Sequence, residues 1–405
     1  MNLEEVMVRH ADRAAGAEVT LRDVQQRARR IQRRRRTGAA VGVAAAVTAV
    51  VLPVSLLVDG TTRSAPEPGP ATQSPSINAD AVRQDPLDMR IAKAEPGGAA
   101  PTVAWIEGRT LHRLDGSTVE LEHDYLELDV VGGDTYLAVR RGDNGPIDGD
   151  VLDEIGDDGK VDSTRVITPI GQAAVITSPD KSVAAWTTPE GEVHVWDQQG
   201  DRTFATSSPQ SNVVAVFGSR TCDDSGDGCR VVVNHADTDP TTYTANGSEP
   251  VGGGFLTILT MSPDGRLVAG NRGRTQGGDA CIETWDVTAD DELQRCQASP
   301  FAFSPDGAHT AEYPPTRDGE PAWIEIRDAR TGKLTAKVVA KGDSDTSNIE
   351  PVVWEDESHY LVTALHEGTW LLLRGDLEGH LEIIRGPIDG PNPGQPYESP
   401  YVIAR

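Results

Sequence analysis

No reactive constellation is spelled out in this chain. Its nine histidines stand at no metal-binding spacing, no Gly-x-Ser-x-Gly elbow occurs, and no glycine-rich phosphate loop falls between a strand and a helix. Basic charge is scarce and unevenly placed. Residues 1–60 carry ten Arg against six Asp or Glu, which leaves 27 basic and 57 acidic side chains beyond residue 60, a net charge of −30. A surface so acidic repels a phosphate backbone and excludes nucleic acid as its partner. Solubility accounts for the acidity, and attraction of cations or basic partners is the sharper alternative. Cysteine is limited to four residues, and one uninterrupted apolar run occurs, over residues 38–58.

That run has no charge over 21 positions, enough to cross a bilayer core as a helix. Seven arginines, Arg27, Arg29, Arg30 and Arg33 to Arg36, precede it, and Asp59 follows. The positive-inside rule then predicts a single-pass anchor, with residues 1–37 cytoplasmic and the rest outside. A cleaved signal peptide is the rival reading, but its charged leader would be some 36 residues long and no persuasive Ala-x-Ala site follows. Within residues 1–37 a helix is expected over Leu21 to Arg36, where the Arg run could touch anionic lipid or nucleic acid, a topology signal alone being the simpler reading. Residues 59–100 are rich in Pro, Ser, Thr, Ala and Gly and read as a stalk.

Beyond residue 100 one short turn recurs. It is Ser178-Pro179-Asp180, Ser262-Pro263-Asp264-Gly265 and Ser304-Pro305-Asp306-Gly307, with a looser copy at Trp354-Glu355-Asp356. Measured from Asp to Asp the intervals are 84, 42 and 50 residues. Pro presets φ, Asp bonds the backbone two residues on, and Gly accepts a left-handed φ, so each copy joins two antiparallel strands. A period in the forties with apolar runs around each turn predicts four-stranded propeller blades. Seven units result: 102–123, 126–168, 173–206, 212–245, 255–297, 300–340 and 350–386. The first lacks an inner strand. Ser399-Pro400-Tyr401-Val402-Ile403 matches Ser299-Pro300-Phe301-Ala302-Phe303, so the C-terminal tail is expected to supply it and close the ring.

At third-strand ends stand Trp196-Asp197 and Trp285-Asp286. Here residues 101–405 resemble the WD-repeat and TolB-like propeller families. The resemblance implies an all-β, seven-bladed β-propeller, placed by the run above behind an N-terminal transmembrane helix. A Gly-His pair before each blade, part of the full WD-repeat pattern, is missing; Gly379-His380 is the one instance and sits at a last strand. The buried His/Asp network of WD blades is therefore not implied, and the two Trp-Asp pairs read equally well as core aromatics at strand ends.

Outside the cytoplasm thiols are expected to oxidise. Of the three connectivities four cysteines allow, local pairing fits the blades: Cys222 with Cys229, and Cys281 with Cys296. Between the first pair, Asp223, Ser225 and Asp227 followed by Gly228 give the alternating oxygen ligands of a calcium loop. The twelfth position is Asn234 rather than Glu, and an acidic solvated loop is the simpler reading. The expected function is a platform in the cell envelope that binds another envelope or extracellular protein, since short loops on a rigid ring present a broad surface. An envelope enzyme acting on glycan or peptide is the alternative, because a propeller face can host catalysis without a linear motif. A sensor signalling through residues 1–37 is a third.

Overall fold

The computed structural model describes residues 87–97, 99–142, 150–168, 174–218, 222, 228–274, 280–295, 299–313, 322–340, 347–390 and 399–405. The anchor run 38–58, the basic segment before it and the stalk up to residue 86 lie outside these residues. Among the described residues no helix is long and apolar enough to cross a membrane.

Seven antiparallel sheets follow one another along the chain. Blade 2 is Glu127–Val131, Thr135–Arg141, Asp150–Ile155 and Val161–Ile167; blade 3 is Ile176–Thr177, Ala184–Thr187, Glu192–Asp197 and Gly200–Thr206. Blade 4 is Asn212–Phe217, Arg230–Asn234, Thr241–Thr244 and Gly247–Pro250; blade 5 is Thr257–Met261, Leu267–Arg274, Ala280–Asp286 and Asp291–Arg295. Blade 6 runs from Ser299–Phe303 to Leu334–Val339, and blade 7 from Asn348–Ile349 to Leu381–Asp389. In blades 2 to 5 the order inner to outer is the order of the sequence.

Burial follows position in the blade. Second strands have neighbouring blades on both faces and read as continuous apolar runs, as in Ala184–Thr187, which is buried throughout. Third strands alternate, with Val193, Val195 and Asp197 buried and Glu192 out. Fourth strands lie at the rim, so Gly200–Thr206 has no fully buried residue.

Blade 1 closes the ring as the tail similarity implies. Tyr401–Ile403 pairs antiparallel with Trp105–Glu107, inside Thr110–His112 and Thr118–Glu120. The tail also reaches forward, because Leu128 bridges Ala404 in parallel and the Arg405 N–H donates to the Leu128 carbonyl at 3.2 Å. The tail thus pairs with blade 1 and bridges to blade 2, which closes the ring between them.

The reading of a stalk up to residue 100 needs correction at its end. Leu87–Arg90 adds a parallel fifth strand outside Leu334–Val339 of blade 6, and Glu95–Pro96 does the same outside Leu381–Asp389 of blade 7. Met89 and Ile91 are buried among Ile324, Val338, Tyr360 and Leu373 in the groove between these blades. Composition marks this stretch as unable to fold alone, but two outer edges supply the backbone partners and the groove supplies the core.

Candidate functional site

The Ser-Pro-Asp turns shape one mouth of the ring, and a buried hydroxyl organises each. Ser262 Oγ donates to Asp264 at 2.5 Å and accepts from the Leu267 N–H at 2.8 Å, while Asp264 accepts from the Arg266 N–H. Ser304 repeats this with Asp306 and His309, and Ser178 with Asp180 and Val183. Gly265 and Gly307 then take φ of 71° and 70°. In the first copy the same left-handed place is held by Lys181 at 59°. A side chain there costs about 1–2 kcal/mol that glycine does not.

The Lys181 side chain turns inward. Its ammonium donates to Thr177 Oγ1 at 3.0 Å, and Thr177 donates to Asp129 Oδ1 at 3.3 Å. Asp129 is 1% exposed, and its Oδ2 has no hydrogen-bond partner among the described residues. Burial pushes its carboxyl up to about 7 against the pull of Lys181 and Arg405. Burial also lowers the Lys181 ammonium; Asp129 pulls it back up, and the neighbouring charge of Arg405 adds to the lowering. Arg405 itself lies 3.6 Å from Glu127. Two cations and a carboxyl of shifted acidity thus meet where blades 1, 2 and 3 converge.

This corner borders a central cavity of about 600 Å³ walled by the inner strands. Its walls are largely apolar, with Val213, Ile258, Met261, Phe301, Phe303 and Val352 among them. Lys181 and Arg405, with Pro179, Pro305 and Trp354, also line the groove at the Ser-Pro-Asp mouth, so they stand where cavity and mouth join.

Around the ring each joint is tied by a side chain. Arg113 donates to the Asp157 carbonyl at 2.8 Å, Arg165 bonds Asp201, and Asp197 accepts the Cys222 N–H at 2.7 Å. Asn234 makes two bonds to the Ile258 backbone, Arg330 lies 3.2 Å from Asp286, and Tyr313 donates to the Ile349 carbonyl. Glu355 closes the set by accepting the Thr102 N–H at 2.6 Å.

The two Trp-Asp pairs divide their labour accordingly. Both aspartates are buried and bonded: Asp197 by Arg202, Gln199 and Cys222, and Asp286 by Arg266, Arg330, Thr288 and Ala289. Arginine and backbone N–H groups occupy the role that histidine would have in the WD network.

Cys222 and Cys229 are disulfide-bonded, with Cα atoms 4.7 Å apart. Cys296 and the side chain of Cys281 lie outside the described residues, as do Asp223, Ser225 and Asp227. Among the described residues no group of three or more His, Cys, Asp or Glu is placed to hold a metal. Among the turn residues, Asp180, Asp264 and Asp306 each accept from the serine two positions before, and Gly265 and Gly307 take positive φ. Asp129, Lys181 and Arg405 are what motif reading misses, and one signal for them was available: Ser178-Pro179-Asp180 is followed by Lys where the other two full copies have Gly.

No family model and no curated protein matches the chain. Solved structures do. One titled "Structure of U3-55K" is 12% identical with a TM-score of 0.43, covering 67% of this chain and 84% of its own. Another, "Crystal structure of RRP9 WD40 repeats", is 11% identical with a TM-score of 0.44, covering 67% and 83%. At these values the fold rests on the sheet topology above: the described residues form an all-β, seven-bladed propeller.

Proposed function

We propose that this chain is a membrane-anchored propeller, held outside the cytoplasm by residues 38–58, whose Ser-Pro-Asp face is a docking platform for another envelope or extracellular protein. The observation that carries the platform is the tying of all seven joints by side-chain bonds, which gives the mouth a fixed shape. A rigid ring with short turns loses little entropy when a partner settles on it. The uncharged run and the arginines before it support the placement.

A photo-crosslinking residue placed at Glu357, on the mouth groove, should capture a discrete protein in intact cells, and one at Leu256, by the opposite end of an inner strand, should not. Equal capture at both positions, or capture of cytoplasmic proteins alone, would overturn the reading.

A further inference from the structure

We propose that the corner formed by Lys181, Arg405 and Asp129 binds the carboxylate of a small organic acid whose apolar body lies along the central cavity. Four observations converge on it. The cavity, about 600 Å³ and mostly apolar with a few polar groups among its walls, has the size and make-up of a small-molecule site. Lys181 is held at a φ of 59° in a turn whose two full siblings use glycine, so its presence carries a conformational cost that turn formation does not require. Its ammonium has three N–H groups and donates to Thr177 alone among the described residues. Asp129, 1% exposed on the cavity wall, leaves Oδ2 without a partner.

The sign of the ligand follows from the charges. A cationic head would be placed beside both Lys181 and Arg405, whose mutual repulsion already bears on Lys181. A carboxylate relieves that repulsion and gives the ammonium the charged acceptor it lacks. Asp129 does not oppose the anion below about pH 7, because burial keeps its proton on, and a protonated Oδ2 donates to the incoming carboxylate. The groups facing Asp129 are Thr177 and Lys181 from blade 3, Arg405 from the tail and Glu127 from its own strand. As pH rises through about 7, Asp129 ionises and binding weakens.

The test uses the full chain in detergent with four probes: phenylbutyrate, phenylbutyramide, phenylbutylamine, and an acetylated peptide ending in a free C-terminal Phe. Calorimetric titration should show phenylbutyrate binding at least about tenfold more tightly than the amide, and the amine not at all. Lys181→Met and Lys181→Gly should each lose at least about tenfold in affinity, and Lys181→Gly should melt no lower than wild type, which separates lost binding from lost fold. Wild-type affinity should fall between about pH 6 and about pH 8.5, whereas Asp129→Asn, neutral throughout and still a donor, should hold constant. The proposal falls if amide and acid bind alike, if both Lys181 variants keep wild-type affinity, or if no probe binds at about 1 mM. It also falls if the peptide binds far more tightly than phenylbutyrate, which would assign the corner to a protein C-terminus.

Discussion

Ser178, Ser262 and Ser304 each keep a hydroxyl out of water that donates to the Asp two residues on and accepts from the backbone N–H five residues on. The recurrence of Ser in these turns is thus as necessary as that of Pro or Asp, although turn chemistry read from sequence credits only Pro, Asp and Gly. Partial burial works against the charge on Asp306, but the bonds from Ser304 and Ala308 outweigh it and hold the carboxyl below the usual carboxylate range. Ser304→Ala removes a donor to that carboxylate and leaves the His309 N–H without its acceptor. A loss of about 1–3 kcal/mol is expected in chemical denaturation, larger than for Ala at an exposed serine such as Ser117. A variant within about 0.5 kcal/mol of wild type would mean that water replaces the hydroxyl at no cost.

At the scale of elements, strands whose partner comes next in sequence were legible and strands with distant partners were not. The hairpin from Ser299–Phe303 to His309–Tyr313 announces itself by its turn, and the fourth unit, 212–245, which has no Ser-Pro-Asp, could be placed from the gap its neighbours leave. The strap Leu87–Arg90 and Glu95–Pro96 has no hairpin, since it pairs in parallel with strands some 250 to 290 positions later. It offers few apolar residues amid Pro and Gly, so composition points to a stalk. Packing reverses that assignment. Met89 is 5% exposed and touches Tyr360, whose hydroxyl lies 3.9 Å from its Sδ. Met89→Ala should cost about 2–5 kcal/mol if the groove cannot collapse. Proteolysis should then cut near residues 87–97 before the blades unfold, because each strap strand is paired along one edge only, outside the last strand of its blade. Cleavage elsewhere first would show that the strap is no separate unit.

At the scale of the whole molecule, the site exists because the ring closes. Asp129 sits in blade 2, Lys181 in a turn of blade 3 and Arg405 on the tail, so no window of sequence holds all three; parallel contact between Leu128 and Ala404 brings the tail to the other two. Tail similarity to the inner strand at 299–303 made closure legible, whereas the chemistry it assembles was not, because charge pairing across the ring has no period. Deleting residues 399–405 tests both consequences at once. Tyr401 and Ile403, 3% and 8% exposed, would forfeit about 1.5–3 kcal/mol each. Trp105–Glu107 and Glu127–Val131 would then face water as bare edges. Against a typical net stability of about 5–15 kcal/mol, the truncated chain should melt well below wild type and run as higher oligomers by size-exclusion chromatography. A second variant, Arg405→Ala, keeps every backbone bond of closure and removes only the guanidinium. It should stay monomeric with a nearly unchanged melting temperature. If the truncation behaves like Arg405→Ala, the tail completes the polar corner but does not hold the ring; if Arg405→Ala falls apart like the truncation, the ion pair with Glu127, and not the strand, is the clasp.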